Sequence, residues 1–231
     1  MKKIILAAIV FATSWVSAQE LSFGVKGGIN IAKLNGQIPS ELDYNKAIIG
    51  PHIGGFINYE IQDQFSVQAE LNFSRQGTTI GLEEAYDGDV ISFKQKLRAT
   101  YLNIPLLAKY EISPGINAFV GPQIGFTLKA VSKWELESEL YPEENIYLDI
   151  DLINGGTYDL DGDEIKTIGG YKQIDFSLVF GGSYELTSNL FVDARYNLGL
   201  SIVDKYSTYN TSYDSFQLKN SVFQCSLGYQ F

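Results

Sequence analysis

The stretch KNSVFQCSLGYQF, Lys219 to Phe231, changes chemistry at every step. Ser221, Phe223, Cys225, Leu227, Tyr229 and Phe231 fall on one side, and Asn220, Val222, Gln224, Ser226, Gly228 and Gln230 on the other. A strand has a two-residue period, so one face is apolar and the other mostly polar. The alternation is cleaner still at Phe65 to Ser74 (FSVQAELNFS), where Phe65, Val67, Ala69, Leu71 and Phe73 interleave with Ser66, Gln68, Glu70, Asn72 and Ser74. That stretch predicts a strand whose two faces meet different solvents. Alternation alone does not say which face is wet, because half-buried antiparallel strands show it too.

Working outward, six more stretches follow the same rule. They are Leu21–Ile31, about 51–61, a strand ending in Leu102–Tyr110, about 116–128, Ile174–Glu185 and Leu190–Leu198. The connections between the eight run long (32–49), short (Gln62-Asp63-Gln64), long (77–96), short (Glu111–Gly115), long (129–173), short (Thr187-Ser188) and long (201–218). Long connections therefore gather at one end of the sheet and tight turns at the other. An even number of strands lets the first pair with the last and leaves no edge. Pro105 and Pro122 fall inside expected strands, where each removes a ladder hydrogen bond, so a bulge or local strain is expected there.

Aromatics decide which solvent lies outside. Phe23, Tyr59, Phe65, Tyr110, Tyr184, Tyr229 and Phe231 sit at the turn-side ends of the apolar faces, where an interfacial girdle belongs. A soluble barrel keeps its apolar residues inside and has no reason to ring one end. The fold class expected is all-β: an eight-stranded antiparallel up-and-down transmembrane β-barrel with four long outer loops and three short periplasmic turns.

The compartment follows from the other terminus. Lys2 and Lys3, the apolar run Ile4–Ala12 and the small-residue site Val16-Ser17-Ala18 read as a secretory signal peptide over 1–18, leaving a barrel domain over 19–231. Gln19 rather than Cys speaks against a lipid anchor. Without Lys2 and Lys3 the chain carries 15 basic and 27 acidic residues, a balance that disfavours nucleic acid. Cys225 is the single cysteine, so an internal disulfide and a cysteine metal cluster are excluded.

With oil outside, the interior parity holds Lys26, Lys109 and Arg195 with Glu60, Glu70, Asp175, Glu185 and Asp193. An eight-stranded barrel is just wide enough to be filled by side chains, and buried charges must pair. The expectation is a salt-bridged polar plug rather than a pore. His52 is the one histidine, so any Ser–His hydrolase or acyltransferase site would depend on it; it is placed at the loop end of its strand with no partnered motif. The longest connection, 129–173, holds eleven carboxylates and four lysines. Its Asp159–Glu164 run puts Gly162 fourth, where a calcium loop needs glycine sixth, and reads as a solvated acidic loop. Divalent ions could still bridge such loops to lipopolysaccharide phosphates as a diffuse effect. Trp134, in the same connection, is placed to anchor a partner or to pack locally. Asn210-Thr211-Ser212 matches a glycosylation sequon, a weak signal behind a bacterial signal peptide.

FGVKGGINIAKL (Phe23–Leu34), YLNIPLLAKY (Tyr101–Tyr110), GPQIGF (Gly121–Phe126), DFSLVFGGSYEL (Asp175–Leu186) and VDARYNLGL (Val192–Leu200) resemble the PorT-type outer-membrane β-barrel family of Bacteroidetes-like bacteria. The terminal aromatic Phe231 likewise resembles an outer-membrane assembly signal. The resemblance implies an eight-stranded barrel exported to the outer membrane, with no catalytic residues and no cofactor. Founding members are linked to a protein secretion system. Expected partners are outer-membrane lipid and lipopolysaccharide, the barrel-assembly machinery through the C-terminal strand, and a secretion or surface protein. The functional expectation is a non-enzymatic envelope scaffold or accessory to secretion or adhesion, acting through its acidic loops. A lipid-modifying enzyme using His52 and a small channel are the alternatives.

Overall fold

The computed structural model describes residues 21–36, 44–86, 89–138, 140–160, 163–168, 170–204 and 217–231. The signal peptide expected over 1–18 and the sequon at 210–212 lie outside them, as do Asp161 and Gly162 of the acidic run. Strands are β1 (Leu21–Asn35), β2 (Tyr44–Gln62), β3 (Phe65–Tyr86), β4 (Asp89–Ser113), β5 (Ile116–Ser138), β6 (Ile146–Asp151), β7 (Gly155–Leu160), β8 (Asp163–Ile168), β9 (Ile174–Glu185), β10 (Leu190–Gly199) and β11 (Lys219–Gln230). Eight of these form a ring in the order β1-β2-β3-β4-β5-β9-β10-β11, every neighbour antiparallel. The ring shuts where β1 meets β11, from Gly24↔Gln230 to Asn35↔Lys219. Closure satisfies every ladder within the sheet, which a lipid surround demands.

Its faces are inverted relative to a soluble barrel. Ile29, Ile53, Ile57, Leu71, Phe73, Leu106, Phe176 and Leu227 are exposed, while Lys26, Glu70, Asp193 and Arg195 are buried. Two-residue turns close the near end at Asp63-Gln64 and at Pro114-Gly115, the latter using φ 76° at Gly115. That positive angle costs glycine nothing and other residues something.

At the far end β1 to β5 all run past their expected bounds, β3, β4 and β5 the furthest. Residues 77–96 are not a loop: β3 and β4 continue as a paired hairpin to Tyr86↔Asp89. Nor is 129–173 a simple loop. β5 runs on to Ser138, a single 3-10 turn at Pro142–Glu144 follows, and β6 folds back on β5 with Leu136↔Ile146 through Val131↔Asp151. β7 and β8 make a separate hairpin. The extension was hidden because the polarity of the two faces changes over. On β4 the outward parity reads Ser92, Lys94, Lys96, Arg98, Thr100 and then Leu102, Ile104, Leu106, Ala108, Tyr110. The inward parity reads Ile91, Phe93, Gln95, Leu97, Ala99 and Tyr101 before Asn103. On β3 the outward side turns from Phe73 to Arg75, and the inward side from Thr78 to Ile80. The crossover marks the outer membrane boundary. From Phe65 to Phe73 a strand rising ~3.4 Å per residue and tilted ~40° covers roughly 21 Å of membrane normal, close to the ~25 Å apolar band of such barrels.

Two irregularities keep the faces in phase across that boundary. Pairing moves from Thr100↔Lys129 to Tyr101↔Thr127, an extra residue on β5 that turns both Leu128 and Lys129 outward. Pairing of β2 with β3 moves from Ala47↔Thr78 to His52↔Ser74, a bulge holding Pro51. The Asn30 amide reaches into this gap and donates to the Arg75 carbonyl at 3.2 Å. No register shift occurs at Pro105 or Pro122, contrary to expectation: Pro105↔Gln123 and Ala108↔Val120 belong to one register. The ladder omits pairings beside these prolines and resumes unshifted, so the strands absorb them without a bulge.

Adjacent glycines of β1 make a test. A Cβ on Gly28 would stand 1.9 Å from the Cys225 carbonyl oxygen, whereas one on Gly27 would approach nothing closer than the His52 oxygen at 3.4 Å. Gly28→Val should abolish the heat-modified gel mobility of the folded barrel or lower its unfolding midpoint by an overpacking cost of about 1–3 kcal/mol or more. Gly27→Ala should leave both unchanged.

Candidate functional site

The lumen is filled in layers. At the periplasmic end Phe56 lies over Gly24 and Phe191 over Gly228, where a Cβ would meet the rings at 2.5 and 2.1 Å. The two rings meet edge to face with centroids 5.6 Å apart. Glycine opposite an aromatic lets the ring lie along the sheet and close the floor.

Above this floor sits a neutral quartet. Lys26 of β1 places Nζ 2.7 Å from Glu70 Oε2 and 3.8 Å from Asp193 Oδ2. Arg195 of β10 donates Nη1 to Glu70 Oε2 at 2.9 Å and Nη2 to Glu70 Oε1 at 3.1 Å, a two-point grip. Its Nε donates to Asp193 Oδ1 at 2.9 Å and its Nη2 also contacts Asp193. Gln68 and Asn72 complete the Glu70 shell, donating at 2.6 and 2.7 Å. The Arg195 guanidinium lies 4.7 Å from the centre of the Phe119 ring. Glu70 and Arg195 are only 3% and 2% exposed, so each charge is answered by opposite charge and hydrogen bonds rather than by water.

One layer outward, His52 Nε2 lies 2.8 Å from Ser226 Oγ. They meet because both pair with Gly28 of the strand between them, which has no side chain to intervene. His52 is thus a buried mid-strand residue, not one at the loop end, because β2 begins at Tyr44. Its Nδ1 has no hydrogen-bond partner among the described residues, so no carboxylate orients the ring as a catalytic triad requires. Higher again, Asn220 donates to Asp175 at 2.7 Å and to Tyr101 at 2.9 Å, Ser201 contacts Asp175, and the Tyr101 and Tyr171 hydroxyls lie 2.7 Å apart. An apolar lid of Leu34, Leu97, Ala99, Tyr171, Val203 and Leu218 covers this layer, with Leu152 and Ile153 packed on it.

Of the eight residues expected to line the interior, Lys26, Glu70, Asp193 and Arg195 come together. Asp175 belongs instead to the upper cluster. Lys109 is half-buried at the periplasmic rim and Glu185 is exposed there, accepting from Asn117 at 3.4 Å. Glu60 does not join the network: it pairs with Ser66 beside the turn and is exposed, since β2 has by then left the apolar band. The girdle residues Phe23, Tyr59, Tyr110, Tyr184, Tyr229 and Phe231 are exposed, with Phe65 half-buried among them. Phe231 packs on Phe23 and Tyr229 at 5.4 and 5.2 Å between ring centres. Sequence reading missed the Gln68 and Asn72 donors, although both share the Glu70 face at two-residue spacing. It also missed Ser226, which only the strand register brings to His52.

A closed eight-stranded ring, apolar outside and solid with paired charges inside, is an outer-membrane β-barrel. The family model for the outer membrane protein beta-barrel domain matches residues 17–205, and the chain belongs to that family. Solved structures similar to it include Ail, the attachment invasion locus protein of Yersinia pestis, crystallised with the heparin analogue sucrose octasulfate. It is 14% identical, with 92% of this chain and 99% of that one covered and a TM-score of 0.44. Neisserial surface protein A is 12% identical, with 90% and 95% covered and a TM-score of 0.42. Among curated protein sequences none matches.

Removing Arg195 leaves Glu70 and Asp193 with Lys26 alone. Arg195→Met should cost about 3–5 kcal/mol in urea unfolding of the lipid-reconstituted barrel. Arg195→Met with Asp193→Leu restores neutrality around the Lys26–Glu70 pair and should recover part of that loss. Equal stability of wild type and Arg195→Met would show that the quartet does not hold the barrel together.

Proposed function

We propose that this protein is a non-enzymatic outer-membrane scaffold of the PorT type, an accessory to secretion or adhesion, whose working part is the sheet protruding from β3 to β6. One observation carries the reading: above the membrane boundary the inward parity of the protrusion is apolar and partly uncovered. Trp134, Leu136 and Ile146 are 41%, 39% and 37% exposed, and Phe93 packs edge-on against Trp134 at 5.7 Å. A rigid sheet presenting aromatics to water is a surface for another protein. Charges on its other face are largely matched internally, Lys96 to Glu135 at 2.9 Å and Lys133 to Asp149 at 2.7 Å. The acidity noted over 129–173 is therefore partly answered within the protrusion, and the apolar face is the better candidate for contact. β6 also pairs only with β5 among the described residues, leaving a strand edge of the kind that accepts an extended segment.

Neither alternative has comparable support. The His52–Ser226 pair lies beneath the apolar lid inside the barrel, where no lipid headgroup reaches it. The paired quartet and the Phe56–Phe191 floor occupy the cross-section that a channel needs.

Surface cross-linking in intact cells, followed by purification of the full-length protein, should recover a protein partner with the wild type and lose most of it with Trp134→Ser/Leu136→Ser. Recovery at the wild-type level from a correctly folded double variant would overturn the reading. His52→Ala should leave the lipid A profile of the cells as it was; an altered profile would place the protein among the lipid-modifying enzymes instead.

A further inference from the structure

The crossover of polarity on β3, β4 and β5 brings three cations to two adjoining rungs of the outer wall. Register pairs Arg75 with Thr100 and Thr100 with Lys129, so the three form a single rung across β3, β4 and β5. The next rung up is Gly77, Arg98 and Val131. Arg75, Arg98 and Lys129 are all exposed. Strands sit ~4.8 Å apart, so Arg75 and Lys129 stand about 10 Å from one another, within joint reach of one group above Thr100.

These three differ from the cations further out. Lys96 and Lys133 have carboxylate partners at 2.9 and 2.7 Å, and Lys94 has one at 3.9 Å. Arg75, Arg98 and Lys129 make no salt bridge among the described residues. The nearest carboxylate to this rung by register is Asp151, opposite Val131. It accepts from the Ile153 and Asn154 backbone N–H groups at 2.8 and 3.1 Å and from the Asn154 amide at 2.9 Å. Those bonds engage it with the loop beyond β6; Lys129 acts on it only through space, helping to hold its pKa down, and makes no ion pair with it, so its ammonium can still meet an outside anion.

The rung directly beneath is apolar. Phe73 pairs with Leu102 and Leu102 with Phe126, and beside them the bulge pushes out Leu128, 53% exposed. A ligand here meets hydrocarbon below and three exposed cations above, with no more than one rung between. That is the profile of a lipid whose acyl chains lie against the wall and whose phosphate stands at the water boundary.

We infer that Arg75, Arg98 and Lys129, with the Thr100 hydroxyl, form a binding site for the phosphate of a phosphorylated glycolipid in the outer leaflet. Arginine offers forked donors suited to phosphate, and lysine adds a mobile charge. The tails pack on Phe73, Phe126 and Leu128. The site concerns the barrel wall and does not depend on the protein-docking role given to the protrusion above it.

The test uses the full chain in nanodiscs of zwitterionic lipid, titrated with a bisphosphorylated disaccharide glycolipid and read by native mass spectrometry. Arg75→Gln/Arg98→Gln/Lys129→Gln should bind at least about tenfold more weakly than wild type, since each charge-assisted bond to phosphate is worth on the order of its neutral counterpart twice over. These side chains lie on the wet outer wall, so heat-modified mobility should confirm that the variant barrel is intact. Lys94→Gln/Lys133→Gln, two rungs and one rung above Arg98 respectively, should bind like wild type. The same glycolipid stripped of its phosphates should bind wild type as weakly as the phosphorylated form binds the triple variant. Equal binding of the triple variant and wild type, or of the stripped and phosphorylated lipids, would overturn the assignment. Displacement of the glycolipid by an equal concentration of inorganic phosphate would overturn it as well, marking a free-anion site instead of a lipid site.

Discussion

A carboxylate withdrawn from water has to be met by positive charge and by hydrogen bonds, and Glu70 is where this barrel faces that requirement. It lies in the narrowest kind of closed sheet, with lipid on the far side of the wall. Arg195 and Lys26 arrive from β10 and β1, and Gln68 and Asn72 from its own strand, so its two oxygens are fully engaged. Because the donors come from strands that are not hydrogen-bonded to β3, the quartet ties the wall across its diameter as well as around its circumference. Asp193 brings the group to neutrality, without which the second cation would be as costly as the first anion. The packing of the lumen at this level and the aromatic floor beneath it both follow from filling that cross-section with paired charge and rings.

The wall itself solves a different problem, which is to cross a boundary where the outside solvent changes. Below the boundary the outward parity must be apolar; above it, the same parity must be polar. β3 and β4 make the exchange within one or two residues, at Phe73–Arg75 and at Thr100–Leu102. Once lipid is left behind, the inward face is free to become an ordinary hydrophobic core, which is what Leu97, Ala99, Tyr171, Val203 and Leu218 form. The lower half is thus a membrane protein and the upper half obeys the rules of a soluble sheet. Two of the four register shifts fall at this transition, where a strand that gains one residue can correct its phase without exposing a buried face to lipid; the other two sit beside the tight turns.

How much of this was legible in the chain depends on whether a signal is local. Five apolar residues facing five polar ones at Phe65–Ser74 need no tertiary knowledge, and the girdle and the closed ring follow from counting such stretches. Residues 77–96 were opaque for the opposite reason: the alternation continues but its sign reverses, and glycines and charges together imitate a loop. The missing donors of Pro105 and Pro122 pointed to a bulge or local strain, yet the register runs on unshifted there, and it is a bulge on β2 that holds Pro51. Parity correctly placed Lys26, Glu70, Asp193 and Arg195 indoors. It could not tell that Glu60 and Glu185 lie where indoors has already become the rim, because depth depends on where the apolar band ends. The His52–Ser226 contact is the least legible, since its residues are 174 positions apart and meet only because Gly28 between them has no side chain.

The same transition also explains why charge is arranged so unevenly on the outer wall. A cation high on the protrusion stands in water and gains modestly from a neighbouring carboxylate, as Lys96 and Lys133 do. A cation on the first rung above hydrocarbon stands where acidic neighbours are scarce and where the surrounding leaflet supplies its own anions. Arg75 and Lys129 occupy that rung and Arg98 the one above it, and their long apolar stems can lie along the upper edge of the lipid-facing surface while their heads stay wet. Charges so placed resist sinking into hydrocarbon from above, as the aromatic girdle resists sliding from below. The height of the barrel is then set at both boundaries. A shift of two residues along the strands would bring the polar outer face of the protrusion into the lipid.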